Sequence, residues 1–280
     1  MKQIVDIVIF YDNEKEVYEY AKDLSQQTAK EDIILVIVVN KRGNMQLENF
    51  KIKMDRLPIS IFVFDPNKNL GYLNGVVYGY YEYCKVSKSM PKWVVVSNTD
   101  IEFSNNKFFE DFLNTSYQDD IWCVAPSVYS PKKESYDNPE YINRCTKDKI
   151  NKLIYIYERP LLAFLYARLS KIKGRLKRNK KQNSQFIYSA KGCFFIIRNE
   201  LATIINDRKF KALLYSEESY IAELIREYKK RTYYDSTIEI IHNESAVTGK
   251  LAIKKKAKYI ADSLKVIRDE FYVDHERTKY

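Results

Sequence analysis

Glycine and proline are scarce in this 280-residue chain, at 7 residues each. No Pro/Gly/Ser-rich linker divides it, so its two halves are expected to share one sheet. Cysteine is rarer still. Cys84, Cys123, Cys145 and Cys193 stand far apart without a CxxC pair, which argues against a zinc site and for reduced core thiols of a cytosolic protein. No apolar run is long enough to span a bilayer, and Met1-Lys-Gln-Ile-Val-Asp6 leads into a strand rather than a signal peptide. A formal charge of +10 asks for an anionic partner. No RNA-binding or helix-turn-helix signature accompanies it, and the 24 tyrosines and 14 phenylalanines are scattered through the core pattern. Nucleic acid is therefore not the expected partner; a basic nucleic-acid-binding protein stands as the rival class.

What is present is ample for a core: 45% of the residues are hydrophobic. Val5 to Phe10, Ile33 to Val39, Ile59 to Phe64 and Trp93 to Val96 read as strands. A helix through Leu24 and another over Gly71 to Cys84 separate some of them. Alternation of this kind predicts parallel βαβ units. The second half offers strands at Ile121 to Ala125, Cys193 to Ile197 and Thr237 to Ile241, and a helix over Glu218 to Tyr228. The stretch from Ser127 to Asn151 reads as irregular.

Two basic segments stand apart. Pro160 to Lys181 holds eight Lys or Arg and no acid, with Leu161, Leu165, Leu169, Ile172 and Leu176 on one helical face. That face either packs on its own domain or meets an anionic membrane. Lys250 to Phe271 repeats an apolar residue at Ile253, Ala257, Ile260, Leu264, Ile267 and Phe271, the pattern of a helix packed on the domain.

The polar punctuation carries the chemistry. Trp93-Val-Val-Val-Ser97-Asn98-Thr99-Asp100-Ile-Glu102 drives a β-branched run into a carboxylate. Ligands of open α/β sheets bind beyond the carboxyl ends of strands, so Asp100 is expected to face solvent there, as a ligand for a hard cation or as a cap of the next turn. Asn69-Leu-Gly71-Tyr-Leu-Asn74-Gly75 joins a strand to a helix, where a helix N-terminus favours negative charge. Glu217-Glu218 opens a helix after Tyr215-Ser216, as catalytic acids or as dipole-stabilising caps. His242 closes a strand.

In this order the motifs resemble family 2 glycosyltransferases, inverting enzymes of the GT-A fold, and especially the rhamnosyltransferase-like members. Asn69 to Gly75 is similar to their Asn-Leu-Gly-aromatic turn, and Ser97 to Asp100 to their Asp-x-Asp motif with Asn98 in the first acidic place. Tyr188-Ser-Ala-Lys-Gly192-Cys-Phe-Phe resembles their acceptor loop, and Tyr215 to Glu218 their Glu-Asp-x-Asp helix start. The likeness covers residues 4 to 245. It implies a GT-A-like, Rossmann-like mixed sheet, mostly parallel and flanked by helices, over residues 1–248, with a C-terminal helical extension at 249–280. A nucleotide-binding half would span about 1–102 and an acceptor half 103–248.

The resemblance implies that Asp100, with His242 nearby, holds Mn²⁺ or Mg²⁺ against the diphosphate of a nucleotide-sugar donor. Tyr11, Asp12 and Glu14 would lie along the nucleotide, with Asn40 near the base, where the family usually has an aspartate. Asn69, Gly71, Asn74 and Asn98 complete the donor side. Glu218, in place of the usual aspartate, would be the catalytic base, with Glu217 as the alternative. The acceptor would be a glycan or a lipid-linked sugar, at the inner face of a membrane and in surface-polysaccharide assembly. An inactive transferase-like protein is a further reading, because Asn98, Asn40 and Glu218 replace family acids. A nucleotidyltransferase is disfavoured, since Tyr11-Asp-Asn-Glu14 has neither the Gly-rich loop nor the following basic residue.

Overall fold

A computed structural model describes residues 3–176, 178–244 and 252–273. The centre is a ten-stranded mixed sheet. β1 (Ile4–Tyr11) lies between β2 (Ile33–Lys41) and β4 (Trp93–Ser97), parallel to both, with β3 (Ser60–Phe64) outside β2. β9 (Phe194–Arg198) pairs antiparallel with β4 and with β6 (Ile121–Ser130). β6 pairs parallel with β10 (Arg231–His242), and the short β5 (Ile101–Phe103) closes the edge antiparallel to β10. The chain steps outward from β1 to β2 and β3, then returns to the other side of β1 as β4. That reversal leaves a crevice beyond the carboxyl ends of β1 and β4.

Helices cover both faces because the central strands are apolar on both. Val5, Ile7, Ile34, Val36 and Val38 point to one core, under α3 (Tyr72–Ser87), α7 (Asn199–Arg208) and α8 (Glu217–Glu227). Ile4, Val8, Ile33, Leu35 and Ile37 point to the other, under α1 (Glu14–Leu24), α2 (Leu47–Met54) and α4 (Phe108–Asn114). Asp6 lies in the middle of β1 with no exposure, its carboxyl taking a 2.6 Å hydrogen bond from the Tyr20 hydroxyl of α1.

The second half is more regular than its composition suggests. β6 runs on to Ser130, pairs with β7 (Ser135–Tyr136), and α5 begins within the stretch expected to be irregular, spanning Lys147–Tyr157. β10 starts at Arg231, well before Thr237. A register shift between Asp235 and Glu239 interrupts it, where Asp235 turns its carboxylate onto the Thr237 N–H and hydroxyl. β8 (Gln185–Ile187) pairs with its first half. α6 spans Pro160–Leu176. α9 (Ile253–Phe271) packs on α5, α6 and α8 through Ala257, Ala261, Ser263 and Ile267; of the apolar stripe read from the sequence, Ala257 and Ile267 are buried, Ile260, Leu264 and Phe271 are partly so, and Ile253 is exposed. The ends of the 249–280 extension lie outside the described residues.

Candidate active site

The crevice is organised by Asn13, at the end of β1. Its amide oxygen takes the Tyr11 N–H at 2.7 Å and its amide nitrogen donates to the Thr99 hydroxyl at 2.8 Å. One side chain thus ties the β1 end to the Ser97–Asp100 segment. Neither Asn13 nor Thr99 stood out in the sequence; an Asn directly after a strand was the signal available. Tyr11 and Asp12 sit beside them. Asp12 adopts a left-handed φ of 57° and pairs with Lys41 at 3.1 Å, and the same ammonium lies over the Tyr11 ring. Glu14 turns to Lys53 of α2, 3.0 Å away.

The Asn69–Gly75 turn is braced from inside the protein. Asn40 is buried at the end of β2, donating to the Gly71 carbonyl at 2.7 Å and accepting from Leu70 N–H at 3.3 Å. Asn69 closes the turn by accepting the Gly71 N–H at 2.9 Å, and Asn74 donates to the Phe210 carbonyl at 2.8 Å. Gly71 has φ 83°, and a Cβ there would stand 2.4 Å from the Leu213 carbonyl oxygen. The turn is therefore pressed against the segment that leads into α8, and only glycine fits. Asn40, Asn69 and Asn74 shape the crevice by holding backbone.

Glu217 and Glu218 follow two left-handed residues, Tyr215 and Ser216. Glu217 is buried and folds back to accept the Tyr215 N–H at 2.9 Å. Glu218 instead reaches over the loop before β9: a Cβ on Gly192 would come within 2.9 Å of its carboxylate. Lys191 of that loop pairs with Glu140 at 2.7 Å. Burial pushes both carboxyls up from the usual range, Glu217 further by Glu218 and Glu218 further by Glu140, while Lys191 partly offsets the latter.

Asp100 and His242 meet from neighbouring strand ends. β5 and β10 place His242 opposite Ile101, and the imidazole Nε2 lies 3.4 Å from the Asp100 carboxylate. Asp100 was expected to face solvent; its side chain is instead 7% exposed, because β10 and His242 cover it. Burial pulls the His242 pKa down, but Asp100 and Cys193 outweigh it and hold the imidazole up to about 10. The His242 Nδ1 is buried with no hydrogen-bond partner among the described residues. Asp137 and Glu244 offer ligand atoms within 4.8 Å of His242 and of each other, but Lys133 already pairs with both. With its proton lost, the imidazole beside the Asp100 carboxylate would fit Mn²⁺ as a donor set better than Mg²⁺, which prefers oxygen ligands alone.

Residues 191–193 connect the two clusters. The Cys193 carbonyl accepts the Asn98 N–H at 2.8 Å, next to Asp100, while Gly192 lies under Glu218. Tyr72, at the start of α3, feels Glu217, Cys193 and Asp100 together. Its hydroxyl is buried with no partner among the described residues, and burial and those charges keep it protonated. The sequence offered Tyr72 only as the aromatic of a turn.

No protein-family model matches the sequence, and no curated protein does. Solved structures match by shape. A mannosyltransferase from Pyrobaculum calidifontis, in complex with GDP-Man and Mn²⁺, superposes with a TM-score of 0.55 at 8% identity, over 88% of this chain and 58% of that one. GalNAc-T7, with UDP, GalNAc and Mn²⁺, superposes with a TM-score of 0.56 at 10% identity, over 96% and 50%. The chain thus spans about half the length of these structures. Its fold is that of the GT-A glycosyltransferases, as the motif order implied.

Proposed function

We propose that the protein is an inverting glycosyltransferase that moves a hexosyl or deoxyhexosyl group from a nucleotide-diphosphate sugar to a glycan or lipid-linked acceptor. The observation that carries this is the pairing of two clusters across residues 191–193: Asp100 with His242 on one side, a half-buried Glu218 on the other. Asp100 and His242 would hold the cation, which supplies positive charge against the diphosphate leaving group. Glu218 takes the proton of the acceptor hydroxyl as general base. Its raised pKa suits that task, because a base poised near neutrality accepts the proton more readily than an ordinary carboxylate. Attack from the face opposite the phosphate inverts the anomeric carbon. Tyr72 offers the donor sugar or phosphate a hydroxyl that no described residue uses. Residues 1–102 would carry the nucleotide and 103–248 the acceptor, at the cytoplasmic side of a membrane where surface polysaccharide is assembled.

A thermal-shift screen of nucleotide sugars with and without Mn²⁺ tests the reading, since a ligand of the folded state raises its stability. One donor class should shift the midpoint only with the cation present, and Asp100→Asn should remove that shift. No shift with any donor overturns the proposal.

A further inference from the structure

Helix α6 turns its leucines to solvent. Among its described side chains only Ala163 is buried, whereas Leu161, Leu165, Leu169 and Ile172 are 80, 54, 59 and 55% exposed. Their spacing puts all four on one side of the helix. Ala163, and Tyr166 against Tyr157 of α5, make the inward contacts. Beyond the helix, Arg178 and Lys181 are anchored to Glu134 and Glu239 at 2.7 and 2.8 Å, so the stretch is tied to the body at its far end. An apolar stripe left open in this way marks a binding surface.

Charge selects what covers it. The stretch from Pro160 to Lys181 has no acid and, besides the anchored Arg178 and Lys181, six further cations, and Arg168 lies 4.6 Å from the Phe164 ring beside the leucines. Lys171, Arg175 and Lys177 contribute to that charge, but their side chains lie outside the described residues. A protein groove would accept the leucines without calling for so one-sided a charge. Nucleic acid would match the cations but not four bare aliphatic side chains. An anionic lipid surface matches both. No helix among the described residues is long and apolar enough to cross a membrane, so contact in the plane of the surface is what remains.

We propose that α6 is a membrane-docking helix, lying in an anionic bilayer surface with the Leu161–Ile172 stripe at the acyl boundary and its cations among lipid phosphates. The helix packs on α5 and α9, so docking brings that part of the molecule to the surface; docking does not rest on the transferase reading.

Flotation of the whole protein with phosphatidylcholine vesicles, with and without phosphatidylglycerol, separates the cases. Binding should be strong on the anionic vesicles, about ten-fold weaker on neutral ones, and reduced by raised salt. The Leu165→Ser/Leu169→Ser pair and, separately, Arg168→Glu should each cut the bound fraction about five-fold or more, with melting temperature and donor-induced shift unchanged. Soluble protein with both lipids overturns the proposal, as does binding that neither variant weakens. Absence of vesicle binding together with a dimer, or a nucleic-acid complex, that the leucine variant dissociates would assign the stripe to that partner instead.

Discussion

Glu217 and Glu218 are adjacent in sequence, yet their side chains go opposite ways, one back to its own turn and the other over Gly192. Glu218→Gln keeps size and polarity and removes the proton acceptor, so kcat should fall on the order of 10²–10⁴-fold with donor KM nearly unchanged. Glu217→Gln can still accept the Tyr215 N–H and should cost far less. A base works only when ionised, and burial raises the Glu218 pKa, so activity should fail on the acid side nearer neutrality than an ordinary carboxylate near 4.3 would allow. A pH–rate profile reads this; an acidic limb at the usual carboxylate position would remove Glu218 from the role. Tyr72→Phe deletes a hydroxyl that no described residue satisfies, so stability should hold or rise. If the hydroxyl serves the donor, KM for it should climb roughly ten-fold, as the loss of one hydrogen bond predicts. An unchanged KM with unchanged kcat would make Tyr72 a packing residue.

Among the elements, the legible ones were those whose pattern is local. Strands β2 and β4 are apolar runs, β1 is one broken only by Asp6, and α3 follows a turn rich in Asn and Gly, so each declared itself. α2 buries only Phe50 and Met54, and α4 only three phenylalanines in seven residues, too little periodicity to separate from a loop. β8 exists through a partner distant in sequence, and β7 is only two residues of a tight hairpin with β6. The site motifs were visible for the same local reason. What they hold was not, because Asn40 reaching Gly71, or Asn13 reaching Thr99, depends on how β1, β2 and β4 lie together. Asn40 shows the consequence. Aspartate, usual there in the family the motifs resemble, could not donate to the Gly71 carbonyl and would bury a charge against it. Asn40→Asp should cost on the order of 1–3 kcal/mol by denaturant midpoint. Gly71→Ala combines a left-handed φ with a backbone clash and should cost at least about 1–3 kcal/mol, while donor binding falls with the turn. Wild-type midpoints in both would mean that the turn is not under the constraint its geometry implies.

At the scale of the whole molecule, a sheet apolar on both faces carries a carboxyl at its centre. Asp6 sits in the central strand, fully buried, with one carboxyl oxygen lacking a partner among the described residues. Burial raises its pKa to about 7, although the Tyr20 hydrogen bond pulls the other way. A carboxyl raised in the folded state keeps its proton while the unfolded chain has lost it. The folded protein then binds more protons, so this contribution to stability is present below the unfolded pKa and is lost as pH rises through the folded one, from about 4 to about 7. Glu217 and Glu218 act in the same direction. Asp6→Asn cannot ionise, so its melting temperature should exceed the parent's at pH 8 and approach it near pH 4. Tyr20→Phe should do the reverse: without the hydroxyl the ionised carboxylate loses its hydrogen bond, so the variant should be penalised more at pH 8 than at pH 5. Both follow from melting curves across that range with unfolding reversible. Parallel pH profiles for the parent and Asp6→Asn would mean that Asp6 titrates alike in the folded and unfolded protein, and that the pH dependence of stability originates at the active-site glutamates.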